Sequence, residues 1–226
     1  MSERAATLSA RLRAAAEPIW AAQHAHPFVR GIGDGSLPIE RFAFWVRQDY
    51  LFLIEYARLF GLAAARAPDL DTMARMAGLL HATLATEMSL HRSYAAEFVI
   101  PAEALEAEAM APTTRAYTDF LLRTAALGDY VELVAALLPC MWGFSELGTR
   151  LARGGRPADA RYAKWIDMYA SAEFAELADW CRALLDRLGA DLPRDALGRV
   201  EAAFLTSSRF ELAFWEMAWR LERWPV

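Results

Sequence analysis

The chain is poor in the residues that staple or metallate a fold, with two cysteines and four histidines in 226 residues, and it has no cluster of Lys or Arg. Each shortage excludes something. Cys140 and Cys181 lie too far apart for a Cys-x-x-Cys redox or zinc motif, and without a secretory signal they read as free thiols in a reducing cytoplasm. A net charge of −5 gives no basic footprint for phosphates, so nucleic acid is not an expected partner. The opening MSERAATLSARLRAAAE is charged throughout and lacks the apolar centre of a signal peptide. The longest apolar run, residues 133–144, falls well short of the ~20 residues a membrane helix needs. No G-x-S-x-G, G-x-x-x-x-G-K-[ST] or H-E-x-x-H is present, and the glycines at 31, 33 and 35 follow no strand, so they read as turn glycines and not as a phosphate cradle.

Strand periodicity is also missing. Apolar residues, 56% of the chain, recur at three- and four-residue spacing in nearly every segment, which predicts an all-α fold. With no repeat, linker or low-complexity tract, residues 1–226 are expected to form a single helical domain. A first helix is expected over 7–23, ending before Pro27. FVRGIGDG (28–35) reads as a glycine-punctuated turn, with Ser36 and Pro38 opening a long aromatic helix over 39–66. Helices follow over 71–98 and 113–126, joined by an acidic connection with room for one helical turn. A fifth helix closes at Gly154-Gly155, one broken or two short helices fill 161–189, and a last helix covers 194–224.

Within the fifth helix, LVAALLPCMWGFSELG (133–148) places Pro139 beside Cys140. A proline inside a helix removes one donor and crowds the carbonyl four residues back, so the ladder should bend and loosen at Ala135, at a cost of roughly 3 kcal/mol. Cys140 at such a bend is either a small buried hydrophobe or a nucleophile at a strained functional position. Cys181 has no comparable context and reads as packing.

Two carboxylates stand out. Asp49 shares a helix face with Phe52 and Tyr56 (i, i+3, i+7), and no neighbour on its own helix neutralises it, Arg47 and Gln48 lying about 200° and 100° away. Glu55 can pair with Arg58 or Arg47. Glu211 lies on the face of Phe214 and Ala218 and is either a buried acid with a raised pKa or the partner of a distant arginine. Glu216 and Arg220 form an ordinary i,i+4 surface pair. Glu87 and His91 are also i,i+4, but with no Glu-x-x-His motif they read as a helix-surface or supporting hydrogen bond and not a di-metal site. His24 and His26 read as cap or turn residues rather than haem ligands. Eight tryptophans exceed what a core of this size usually holds and could mark subunit interfaces.

Taken together, HPFVRGIGDGSLPIERFAFWVRQDYLFLIEYARLF, TLATEMSLHRSYAAEF, PTTRAYTDFLL, ALLPCMWGFSELG, RYAKWIDMYASAEF and SSRFELAFWEMAWRLERW, in that order, resemble the TenA-like (thiaminase II) family. The resemblance implies a haem-oxygenase-like helical bundle without haem, metal or other cofactor, commonly a homotetramer. It implies thiamin salvage: a small pyrimidine substrate, 4-amino-5-aminomethyl-2-methylpyrimidine, hydrolysed to the hydroxymethyl pyrimidine and ammonia, with thiamin cleavage as a related activity. Carried over by residue, Cys140 matches the nucleophile, Asp49 the carboxylate at the pyrimidine ring and Glu211 the acid/base. Tyr117 and Tyr169 match rings of the pocket, and Phe214 an apolar wall. Phe52 and Phe144 stand where many members have tyrosine, with Phe144, one turn after Cys140, expected to face the nucleophile. Val99 replaces a glycine usual after AAEF. The rival readings are a non-catalytic or metal-dependent protein of the same fold binding a flat ligand, a haem oxygenase, and a structural helical partner.

Overall fold

The computed structural model describes residues 6–225. Among them every regular element is helical: α1 (Leu8–Ala15), α2 (Glu17–Ala25), α3 (Pro27–Asp34), α4 (Ile39–Ala65), α5 (Leu70–Ala82), a π-helical turn (Thr83–Glu87), α6 (Met88–Glu97), α7 (Ala102–Glu106), α8 (Pro112–Leu127), α9 (Tyr130–Arg153), α10 (Ala160–Tyr169), α11 (Ala172–Leu188) and α12 (Arg194–Arg220). The all-α expectation holds, and the long aromatic, kinked and final helices are α4, α9 and α12.

Several boundaries differ for local reasons. The first helix divides at Ala16 because Pro18 is accepted only in the first turn of a new helix. The segment 28–35, expected as a turn, is the helix α3. His26 caps it through Nδ1, which accepts from Phe28 N at 3.2 Å, Pro27 starts it, and Gly35 ends it at φ +78°. Its glycines are tolerated because Phe28, Val29 and Ile32 are fully buried and Gly31 touches Leu37 so closely that a Cβ would lie 3.0 Å from it. Tertiary packing here overrides the cost of helical glycine. Pro38, not Ser36, occupies the cap position of α4. The expected helix over 71–98 carries the π turn in its middle, and the last helix stops at Arg220, where Leu221 turns left-handed at φ +54°.

The centre of the molecule is α9, packed against α8, α10, α11 and α12, with α4 set against α5, α6, α8 and α12. Composition alone would let α9 cross a membrane, but 78% of its most apolar window is buried inside the fold, so it is a core helix. Trp45, Trp165 and Trp215 stack around one another with ring centres 6.1–6.3 Å apart. With Trp20 they are at most 1% exposed. Four of the eight tryptophans thus fill the core, and Trp224 is exposed.

Gly148 marks the tightest approach between α9 and the end of α10, since a Cβ there would fall 2.5 Å from the carbonyl carbon of Tyr169. Neither backbone can yield locally. Gly148→Ala is therefore expected to destabilise the fold by about 1–3 kcal/mol, lowering the melting temperature by roughly 2–4 °C per kcal/mol, as read by denaturant and thermal unfolding.

Candidate active site

Helices α4, α8, α9 and α12 bring one polar group each to a common point inside the aromatic core. From α12 comes Glu211, 3% exposed, whose Oε1 accepts a 2.6 Å hydrogen bond from the Tyr117 hydroxyl on α8. Tyr117 also lies 2.9 Å from Ser207 Oγ, one turn before Glu211, and Ser207 donates to the carbonyl of Ala136 on α9 at 2.6 Å. Burial pushes the Glu211 carboxyl up to about 8; the Tyr117 hydrogen bond opposes the shift and the charge of Asp49 adds to it. Of the two readings open for Glu211, a raised-pKa buried acid is the one realised, and no arginine pairs with it among the described residues.

Cys140 lies within hydrogen-bonding reach of Glu211 and of the Tyr56 hydroxyl. Burial, then the charges of Glu211, Glu87 and Asp49, hold its thiol well above the ordinary value. The helix around it runs as α-helix through Pro139. Its carbonyls at Ala136 and Leu137 accept from Ser207 and from Tyr56, the latter at 2.7 Å. The additional bonds sit one and two residues beyond Ala135, where the ladder was expected to loosen, and they fasten the turn that presents Cys140 to α12 and α4.

Asp49 is 4% exposed. No residue of its own helix compensates it, as the sequence indicates; the partner is His91 on α6, whose Nε2 lies 2.6 Å from Oδ2 in a close ionic contact with the N–H directed off the line to the oxygen. Burial works against the imidazolium, but Asp49 outweighs it and lifts the His91 pKa above its ordinary value. The other ring nitrogen lies 3.0 Å from the Glu87 carbonyl. His91 is fully buried, so of the two readings of Glu87 and His91 the supporting contact is the one realised, beneath Asp49.

The remaining residues form walls. Phe52 stacks on Tyr56 with ring centres 5.3 Å apart and meets Tyr117 at 5.0 Å and Phe214 at 5.6 Å. Phe144 packs against Tyr169 at 4.8 Å, Trp215 at 5.3 Å and Trp165 at 5.9 Å. Tyr56 and Glu211 are the polar groups beside the thiol. Tyr169 donates to Glu87 Oε1 at 2.8 Å. Burial pushes Glu87 up to about 7, with Asp49 adding to the shift. Glu87 thus joins the cluster through its side chain, a role that the sequence reading missed. The other cysteine, Cys181, is fully buried with its thiol pushed up to about 12, as a packing residue should be. Beyond the cluster, His26 acts as the expected cap, and Glu55 pairs with Arg58.

A cavity of about 260 Å3 adjoins the cluster between the π turn and helices α9, α10 and α11, lined by Leu79, Glu87, Met141, Met168, Phe174 and Leu177 among others. Its lining includes a residue of the cluster, Glu87, and a sequence neighbour of Cys140, Met141.

Glu211 also provides a stability signature. Because its folded pKa of about 8 exceeds the ordinary 4.5, the folded chain retains a proton that the unfolded chain releases between those values. The contribution of this group to stability therefore falls as pH rises through that window and stays lost above it. Glu211→Gln, which still accepts from Tyr117, should melt near the wild-type temperature at pH 5 and roughly 10 °C higher at pH 9; equal shifts at both pH values would contradict the assignment.

Comparison with known proteins bears on the family and the fold. Residues 13–221 match the model of the TENA/THI-4/PQQC family. An aminopyrimidine aminohydrolase of Halalkalibacterium halodurans is 47% identical over 96% of this chain and 98% of its own length. One of Bacillus subtilis is 37% identical over 96% and 91%. Among solved structures, a TenA homologue from P. horikoshii superposes with a TM-score of 0.88 at 31% identity, covering 95% of this chain and 99% of that one. A domain of unknown function from Shewanella denitrificans with a heme oxygenase-like fold superposes at 0.72 and 15% identity, covering 93% and 91%, which speaks to the fold alone. The helical bundle is haem-oxygenase-like, and the chain belongs to the TENA/THI-4/PQQC family.

Proposed function

We propose that this chain is an aminopyrimidine aminohydrolase of thiamin salvage, converting 4-amino-5-aminomethyl-2-methylpyrimidine and water to the hydroxymethyl pyrimidine and ammonia. The observation that carries the reading is the Cys140 thiol beside a Tyr117-anchored Glu211 that holds its proton near neutral pH, with Asp49 close by. The 37–47% identity to aminopyrimidine aminohydrolases over nearly the whole chain supports it.

Displacing the amine from a methylene carried by an aromatic ring needs a nucleophile that interrupts aromaticity and an acid for the leaving group. The Cys140 sulfur bonds to a ring carbon while its proton passes to ionised Glu211, and the displaced ring electron pair is taken up at a ring nitrogen held by Asp49, the proton arriving from His91 through Asp49. As that proton returns by the same route, the pair expels the arm nitrogen, which leaves as ammonia from the ammonium form that protonated Glu211 maintains. Water adds to the exocyclic methylene and gives its proton to the released ammonia, and the thiolate departs, reprotonated by Glu211, as the ring regains aromaticity. A carboxyl titrating near 8 serves both directions of transfer around neutral pH. The aromatic walls Phe52, Tyr117, Phe144, Tyr169 and Phe214 hold the flat ring and exclude water. Thiamin cleavage follows the same course with the thiazole as leaving group. The reading includes a cytoplasmic homotetramer of single-domain chains without metal or cofactor, and the exposed apolar side chains Leu70, Val99 and Leu127 support a partnered surface.

Purified protein incubated with the aminomethyl pyrimidine should release ammonia and hydroxymethyl pyrimidine in equal amounts. Cys140→Ser should abolish release, and Glu211→Gln should lower kcat by about 10²–10⁴-fold. Absence of release by the wild type, or near-wild-type turnover by Cys140→Ser, would sink the covalent hydrolase.

A further inference from the structure

Three carboxylates bear on Cys140: Glu211, Glu87 and Asp49. Two are committed elsewhere, Glu211 to Tyr117 and Asp49 to His91. Glu87 differs in three respects. Its Oε1 accepts from Tyr169, while among the described residues Oε2 accepts no hydrogen bond. It is the only one of the three that lines the 260 Å3 cavity. It is also placed by the π turn, the single departure from α geometry between α5 and α6, and π turns recur where a side chain must be aimed at a functional site.

We propose that Glu87 is a specificity-determining residue that recognises a cationic arm on the substrate, its carboxylate pairing with the ammonium group on the pyrimidine's methylene at the point where the reaction chamber opens into the cavity. The proposal rests on the aminopyrimidine reading and extends it. A primary alkyl ammonium is charged at neutral pH, as a lysine side chain is, and a cation entering a site walled by Leu79, Met141, Met168, Phe174 and Leu177 must find a negative partner or pay its full desolvation. The lining offers two acids: Glu87 at the inner wall and the exposed Glu173 at the rim. A cation can meet Glu173 in water and exchange it for Glu87 inside. The uncharged hydroxymethyl product loses that partner, so the same carboxylate favours substrate over product.

The ionisable groups facing Glu87 are Asp49 on α4, His91 on α6, Cys140 on α9, Tyr169 on α10 and Glu173 on α11. Their titrations act on any pyrimidine in the pocket and cancel when two ligands with the same ring are compared. Glu87, near 7 when the site is empty, becomes a better cation partner as pH rises through that value.

The test is calorimetric binding of the aminomethyl and hydroxymethyl pyrimidines to full-length wild type, Glu87→Gln and Glu173→Gln, using Cys140→Ser backgrounds so that neither ligand is turned over. At pH 8, Glu87→Gln should weaken the aminomethyl ligand at least 10-fold and the hydroxymethyl ligand less than 2-fold, since glutamine keeps the acceptor for Tyr169. Glu173→Gln should change equilibrium binding of either less than 3-fold. In the wild-type pocket the ratio of the two affinities should rise about 10-fold between pH 6 and 8, a measurement that decides the matter even if Glu87→Gln does not fold. Equal weakening of both ligands would make Glu87 a support for Tyr169 only, and a pH-independent ratio or an unaffected Glu87→Gln would likewise overturn the proposal while leaving the hydrolase intact. Failure of the Cys140-intact protein to bind or hydrolyse either pyrimidine would remove the aminopyrimidine reading itself.

Discussion

The 2.6 Å hydrogen bond between Tyr117 and Glu211 is the contact on which the rest of the site depends, because it joins three helices through a chain with very few protons. Tyr117 and Ser207 have one hydroxyl proton each. Ser207 gives its proton to the Ala136 carbonyl. If Glu211 is ionised, Tyr117 gives its proton to the carboxylate, and the 2.9 Å contact between Tyr117 and Ser207 has no proton left to fill it. Protonation of Glu211 on its other oxygen leaves the bond from Tyr117 in place, and burial favours that neutral state.

The opposite side of the site is built on a different compromise. Asp49 is nearly as buried as Glu211, but it faces a histidine instead of a hydroxyl. The histidine is fixed from below by the Glu87 carbonyl, so the backbone that sets the tautomer of His91 also carries the Glu87 side chain into the cluster. A change in the π turn would disturb two acids at once. The aromatic packing of Phe144 with Tyr169 couples the α9 turn after Cys140 to the residue that holds Glu87. Gly148 brings the Tyr169 backbone against α9, so the distance across the pocket is set by main chain and not by adjustable side chains.

The long elements were legible because their periodicity is strong and little competes with it. The apolar spacing of α4, α9 and α12 identified the core, and the face shared by Asp49, Phe52 and Tyr56 is buried in it, against His91, Tyr117 and Phe214. Four features were not legible for reasons that are physical. The glycines of α3 look like a turn until Leu37 is seen pressed against Gly31, a contact set by tertiary packing. The π turn carries no composition signal, and from it the half-buried Glu87 meets the Tyr169 hydroxyl. The pairing of Asp49 with His91 spans 42 positions, and nothing local ties them. Tyr56 was read as a ring beside Asp49, although its hydroxyl reaches Leu137 and the thiol. The one available signal was the pattern Glu87-x-x-x-His91, whose two members turned out to share a site while serving different partners.

The electrostatics of the cluster bear on when the thiol becomes reactive. A nucleophilic cysteine is ordinarily activated by a nearby cation or helix N-terminus that depresses its pKa. Here the opposite environment prevails: three carboxylates surround Cys140 and hold the thiol protonated, and the buried cation source nearby, His91, is engaged by Asp49. An empty site of this kind is protected from alkylation and oxidation, both of which need thiolate. On the proposed function, the missing positive charge arrives with the substrate, because a pyrimidine bearing an ammonium arm neutralises part of the acidic field as it binds. Neutralisation lowers the thiol pKa, and protonation of a ring nitrogen beside Asp49 draws the sulfur toward the ring. Activation is then conditional on the right ligand, which reconciles a half-buried, high-pKa cysteine with a role as nucleophile.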